Sequence, residues 1–134
     1  MKLDVCKNEL DKFLNHSKHS LLISHKIYTE KCNILIYNTG NDRIRTASIS
    51  CIRHDKTEGV ELVVSISELK DTILFDANIY STDGSFIKEI NEKALPNNAN
   101  IDDINKPLVD FLNYIYKEKL VVFSDIIEKY CLGK

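Results

Sequence analysis

Between residues 21 and 90 the chain consists of six short segments rich in Ile, Val, Thr, Tyr and Phe, none with the length and periodicity of a helix. These segments are residues 21–29, 33–38, 43–53, 60–67, 72–81 and 85–90. Turn-forming residues separate them, most clearly at 38–42, at 55–59 and at the pair Asp83 and Gly84. Because parallel strands need long crossovers, short turns of this kind predict an antiparallel meander.

Apolar residues at helical spacing flank the strand-rich region on both sides. Near the N-terminus they predict a helix over residues 4–18. After a polar loop at 91–100, the pattern returns over 101–115 and over 120–130, where Ser124 could cap a separate helix. With 134 residues there is room for one core. We therefore predict a single α+β domain over residues 1–134, in which an N-terminal helix and a C-terminal helix or helix pair cover one face of a sheet of five or six strands.

The net charge of -2 argues against a nucleic-acid coat protein, which needs a basic stripe. The charges are unevenly distributed, since residues 1–56 hold 10 basic and 6 acidic side chains and residues 57–134 hold 8 basic and 14 acidic. Such asymmetry favours a partner of opposite charge, although a solvated acidic surface explains it equally well. No apolar run has the length of a signal peptide or a membrane span, and no two of the four cysteines are close in sequence. We expect a cytoplasmic protein with reduced thiols.

The strand register predicts which side chains the helices leave uncovered. If residue 67 pairs with 72, Ile66 faces Ile73 and Val64 faces Phe75, so that the inward pairs are apolar. An Asp-Gly hairpin at 83–84 then places Asn78 opposite Glu89 and Tyr80 opposite Ile87. The predicted outward surface carries five candidate partner-binding residues: Glu61, Asp76, Asn78, Tyr80 and Glu89. An acidic patch with an exposed aromatic suits a protein interface, and an ordinary solvated face is the alternative.

Candidate catalytic and metal-binding groups do not combine into a known motif. His16 and His19 have no third ligand at motif spacing, and His25 and His54 are each better explained as a structural or loop residue. No glycine-rich phosphate loop or nucleophile motif is present. All three arginines occupy odd-numbered positions of one predicted strand, so Arg43, Arg45 and Arg53 would lie on the same face. They could form a phosphate clamp, but pairing with carboxylates of neighbouring strands is the favoured interpretation. We expect no catalytic residue, no metal and no cofactor.

The segment TILFDANIYSTDGSFIKEI at 72–90, with the leading helix and the helical C-terminus, resembles the architecture of several small bacterial immunity proteins. The resemblance, which covers most of the chain, implies an inhibitor that binds a toxin delivered by a neighbouring cell, as in contact-dependent growth inhibition. It implies a basic protein partner such as a nuclease toxin, with no direct contact to nucleic acid or membrane. Two alternatives remain open: a secretion chaperone or adaptor, and a small ligand-binding α+β protein. The oligomeric state is open, with a monomer slightly favoured.

Overall fold

A computed structural model describes residues 2–25, 31–41, 43–55, 58–97 and 101–132. A 3-10 turn at Lys2–Val5 leads into helix α1, Cys6–Ile23. Five strands follow, namely β1 Cys32–Gly40, β2 Ile44–Arg53, β3 Gly59–Glu68, β4 Thr72–Ser81 and β5 Phe86–Pro96. The chain ends in helix α2, Ile101–Tyr114, a π-helical turn at Ile115–Lys119, and helix α3, Leu120–Cys131. The predicted α+β class and antiparallel meander are confirmed, with strand order β1-β2-β3-β4-β5.

One hydrophobic core lies between the sheet and a single layer of helices. Helix α1 packs on β1 and β2, α3 packs on β2 and β3, and α1 contacts both α2 and α3. On β3 and β4 every second residue is buried, from Val60 to Ile66 and from Ile73 to Ile79. Phe75 on β4 meets Phe111 on α2 edge to face, with ring centroids 5.6 Å apart. Apolar alternation with a period of two therefore determines which face of the sheet the helices cover.

Several predicted boundaries are wrong. Residues 21–23, predicted as part of a strand, end helix α1, and 26–29 lie outside the described residues. Residues 91–96, predicted as a loop, continue strand β5. Ser124 caps no helix, since it is buried within α3, and the π-helical turn joins α2 to α3 without an intervening loop. Packing against the core extends α1, and pairing with β4 extends β5, beyond their local sequence signals.

The predicted pairing of β3 with β4 is displaced by two residues. Ile66 pairs with Phe75 and Val64 with Ala77, because the turn is tighter than expected. The Leu69 amide donates to the Thr72 carbonyl at 2.8 Å, which leaves only Lys70 and Asp71 in the loop. A displacement of two residues preserves the faces of the sheet, so the same side chains remain buried.

The pairing of β4 with β5 contains two irregularities. Asn78 pairs with Glu89, as predicted, but Tyr80 pairs with Phe86 rather than with Ile87. Register shifts lie between Ala77 and Asn78 and between Ile79 and Tyr80. Each leaves one extra residue on β5, which is how a β-bulge forms.

Candidate functional site: the uncovered face of the sheet

The face of the sheet opposite the helix layer carries the predicted site residues. On β3 and β4 the side chains that alternate with the buried set are half-buried, and they point away from the helices. We call this surface the open face. Its main residues are Leu35 and Tyr37 on β1, Thr46, Ser48 and Ser50 on β2, Glu61, Val63, Ser65 and Ser67 on β3, Leu74, Asp76, Asn78 and Tyr80 on β4, and Phe86, Glu89 and Glu92 on β5.

Three carboxylates gather on the open face where β4 meets β5. Asp76 pairs with Glu92, and Glu89 pairs with the neighbouring Asn78. Burial of Asp76 and the negative charges of Glu92 and Glu89 raise the pKa of the Asp76 carboxyl above its ordinary value. No lysine or arginine of the described residues forms a salt bridge with any of the three. The acidic cluster of Asp76, Glu89 and Glu92 is therefore a concentration of negative charge without a salt-bridge partner among the described residues.

The remaining predicted site residues lie beside this cluster. Glu61 pairs with Tyr80, whereas the predicted register, with residue 67 opposite 72, places it opposite Asn78. Its carboxylate accepts a hydrogen bond from the Ser50 hydroxyl at 3.2 Å. The Asn78 side-chain amide lies 3.4 Å from the Tyr80 hydroxyl. The Tyr80 ring meets the Phe86 ring edge to face, with centroids 6.1 Å apart. An aromatic pair thus borders the acidic cluster at the Asp83 and Gly84 turn.

Sequence reasoning missed Glu92 because it assigned residues 91–100 to a loop. One signal in the sequence could have found it: β4 has ten residues, and a partner strand of only 85–90 would leave its first half unpaired on that side. Matched strand lengths require β5 to continue to about the level of Thr72, and Thr72 does pair with Pro96. This extension places Glu92 directly opposite Asp76.

The open face changes character across the sheet. Small hydroxyl-bearing residues occupy its centre, namely Thr46, Ser48, Ser50, Ser65 and Ser67. At the β1 edge two apolar side chains are exposed, Leu35 at 39% and Tyr37 at 48% of their surface. Strand spacing of about 4.8 Å places this apolar edge roughly 14 Å from β4. The open face is therefore apolar at one side, small and polar in the middle, and acidic at the other side.

The histidines singled out in the sequence do not converge. His16 and His19 are both exposed on α1, and His25 follows the end of that helix. The His54 Nε2 lies 2.9 Å from the Asn33 side-chain oxygen, which ties the end of β2 to β1. Within the part of the chain that the structure describes, no three His, Cys, Asp or Glu side chains are placed to hold a metal ion.

The three arginines lie in separate environments rather than forming a phosphate clamp. Arg45 is buried, and its guanidinium donates to the Asn38 side-chain oxygen at 3.1 Å. Arg53 donates through Nε and Nη2 to the carboxylate of Asp55, at 3.0 and 2.9 Å. Arg43 is exposed just before β2 begins. The favoured prediction of pairing with carboxylates on neighbouring strands is also wrong for Arg53, whose partner is two residues along the chain.

The four cysteine thiols are buried in the core and do not contribute to the open face. Burial raises the pKa of Cys6 to about 11, and it also raises the pKa of Cys32. A thiol hydrogen bond between Cys51 and Cys131 raises the pKa of Cys51 and lowers that of Cys131. Cys131 is only 3% exposed, so the packing closes even this thiol off from reagents in solution.

Comparison of the chain with protein-family models, with curated proteins and with solved structures found no match. Among the described helices, none combines the length and the hydropathy needed to cross a bilayer.

Proposed function

We propose that this chain is a bacterial immunity protein that binds a basic protein toxin, a nuclease, and neutralises it by stoichiometric blocking of its active site in the cytoplasm. The observation that carries the proposal is the acidic cluster of Asp76, Glu89 and Glu92 on a sheet face that the helices leave uncovered. A nuclease presents a positive surface where it binds nucleic acid. An acidic face that occupies this surface excludes the substrate without any chemical step.

The charge and the packing of the site both support binding to a cationic protein. The raised pKa of Asp76 indicates that its negative charge is destabilised by burial and by Glu92 and Glu89. An arginine or lysine of a partner placed among these carboxylates would remove this repulsion. Tyr80 and Phe86 next to the cluster supply aromatic area of the kind that anchors protein interfaces.

A binding experiment with the gene neighbour tests the proposal. The probe is the C-terminal domain of any large secreted protein encoded directly beside this chain, inactivated so that it can be expressed alone. We expect a 1:1 complex per chain whose affinity falls with added salt, because the interface is charge-complementary. The double variant D76K/E89K should weaken binding by about a hundredfold, and E61K by less, since Glu61 lies outside the cluster. Tyr80→Ala should weaken binding through loss of the anchor.

A matched control separates local charge from net charge. The variant D110K/D125K makes the same change in net charge on exposed positions of α2 and α3. It should bind the toxin domain with nearly unchanged affinity. Equal affinity of D76K/E89K and the parent chain would refute the open face as the binding surface. Binding to an unfolded segment of a secreted protein, with no inhibition of a toxin, would instead support the secretion chaperone.

A further inference from the structure

The two edges of the sheet differ in how well they are protected from pairing with another strand. Edge strands of natural proteins carry charges, prolines or bulges that block an added strand. Strand β5 has all three, with two register shifts, the charged residues Lys88, Glu89, Glu92 and Lys93, and Pro96. Strand β1, CNILIYNTG, has no charged residue and no proline, and it pairs with β2 over nine consecutive positions without a bulge.

The hydrogen bonds at the two ends of β1 show which backbone groups face its outer edge. The His54 amide donates to the Lys31 carbonyl at 3.2 Å, and the Asn41 amide donates to the Ile44 carbonyl at 2.8 Å. Hydrogen-bonded pairs in an antiparallel ladder recur at every second residue, so the odd-numbered residues of β1 bond to β2. The amides and carbonyls of Ile34, Ile36 and Asn38 therefore point away from β2. No backbone group of the described residues outside the β1–β2 ladder bonds to them.

We propose that β1 is a dimerisation edge, and that its partner is β1 of a second copy of this chain, paired antiparallel about a two-fold axis through Ile36. In this register Ile36 pairs with its own counterpart, and Ile34 pairs with Asn38 of the second copy. The outward amides and carbonyls of Ile34, Ile36 and Asn38 then have partners on the second strand.

Side chains and charges favour this occupant. The register places Leu35 of one copy opposite Tyr37 of the other, twice by symmetry, so that the exposed apolar side chains of the open face cover each other. Because β1 has no charged residue, this register places no like charges opposite each other. The acidic cluster lies on β4 and β5, three to four strands and roughly 14–19 Å from β1. Pairing through β1 therefore leaves the cluster of both copies accessible.

The mass of the purified chain in solution, measured by analytical ultracentrifugation over a range of concentrations, tests the proposal. We expect a species of twice the 15.4 kDa chain mass. The variant Ile36→Pro removes an outward amide without removing a bond to β2, and it should give a folded monomer. The double variant L35K/Y37K places like charges opposite each other twice and should raise the dissociation constant by at least about tenfold.

Two further variants test the register and the choice of edge. The variant L35K/Y37E places opposite charges across the proposed axis and should restore the dimer that L35K/Y37K loses. Phe86→Lys adds one charge at the β5 edge and should leave the dimer intact. A chain that is monomeric at all concentrations overturns the proposal, as does a dimer that Ile36→Pro and L35K/Y37K leave unchanged. This measurement needs no toxin. A chain that does not dimerise would therefore overturn the β1 proposal without bearing on whether the chain binds a toxin.

Discussion

At the scale of single residues, the carboxylate of Asp76 lies where its surroundings oppose its charge. Half-burial between β3 and β5 and the neighbouring carboxylates of Glu92 and Glu89 raise its pKa in the folded chain. The folded chain therefore holds the proton of Asp76 more tightly than the unfolded chain does. The free energy of unfolding must fall as the pH rises from the ordinary pKa of an aspartate through the raised value.

The substitution Asp76→Asn removes this titration and tests its sign. We expect the variant to be more stable than the parent at pH 7, because the amide carries no charge to repel Glu89 and Glu92. Its advantage should shrink as the pH falls below the ordinary aspartate pKa, where Asp76 is protonated in both states. Urea denaturation at a series of pH values measures the difference. Glu92→Gln should shift stability in the same direction by a smaller amount, since the burial of Asp76 remains. A constant difference between D76N and the parent across the pH range would contradict this account.

At the scale of secondary-structure elements, Gly59 is the point where three strands meet. It opens β3 opposite Ile52, its amide donates to the Thr82 hydroxyl oxygen at 3.0 Å, and its carbonyl accepts from the Thr82 amide at 3.0 Å. A Cβ at this position would overlap the Cys51 carbonyl oxygen of the adjacent strand. Gly84 differs, since it has a φ of +94° in the β4–β5 turn but open space around it.

Alanine substitutions at the two glycines should therefore have different costs. Gly59→Ala should lower the free energy of unfolding by about 2–4 kcal/mol, because the backbone of β2 or β3 has to move. Gly84→Ala should cost about 1 kcal/mol, the conformational cost of a left-handed backbone for an L residue. Urea denaturation of both variants measures the two values. Equal losses would mean that the contact with Cys51 relaxes without cost.

The faces of the sheet could be predicted from the sequence, whereas the register of its strands could not. Alternation in β3 and β4 places Val64 and Phe75 on the buried face in any register that differs by an even number of residues, so the faces were predictable. The register of β3 and β4 was not predictable, because apolar residues pair equally well after a displacement of two residues. The tight turn at Lys70 and Asp71 also contains no glycine that would mark it. The acidic cluster was predicted in part, since Asp76 and Glu89 were found and Glu92 required the bulged extension of β5.

The difference between the two edges of the sheet was visible in the sequence only after the strand order was known. The uncharged composition of β1 can be read directly from residues 32–40. Its meaning depends on whether that strand is central or peripheral, because only a peripheral strand has an unpaired edge. Local composition cannot distinguish these two positions, and the observed meander resolves them.

At the scale of the whole molecule, the burial of all four thiols makes cysteine accessibility a measure of global unfolding. Cys6 is the first residue of α1 and is buried, Cys32 and Cys51 lie on the covered face of the sheet, and Cys131 ends α3. No thiol can reach a reagent unless the helix layer separates from the sheet.

A thiol-specific chromogenic reagent at mildly alkaline pH provides the corresponding measurement. We expect the native chain to react slowly and the urea-unfolded chain to react at once at all four of its thiols. The reaction rate of the native chain should follow the population of the unfolded state. The variant Asp125→Cys, at an exposed position of α3, supplies a positive control with one fast equivalent. Rapid reaction of any thiol in the unsubstituted native chain would show that the helix layer opens locally.

The bulges, charges and proline of β5 have a consequence for how assembly ends. A sheet that accepted neighbours at both margins would add copies without limit and grow into a fibre. Here one margin is blocked by its own irregular backbone, so once two copies have joined through the other margin no site remains for a third. We therefore expect growth to stop at two copies, because the residues that distort β5 oppose the addition of a third.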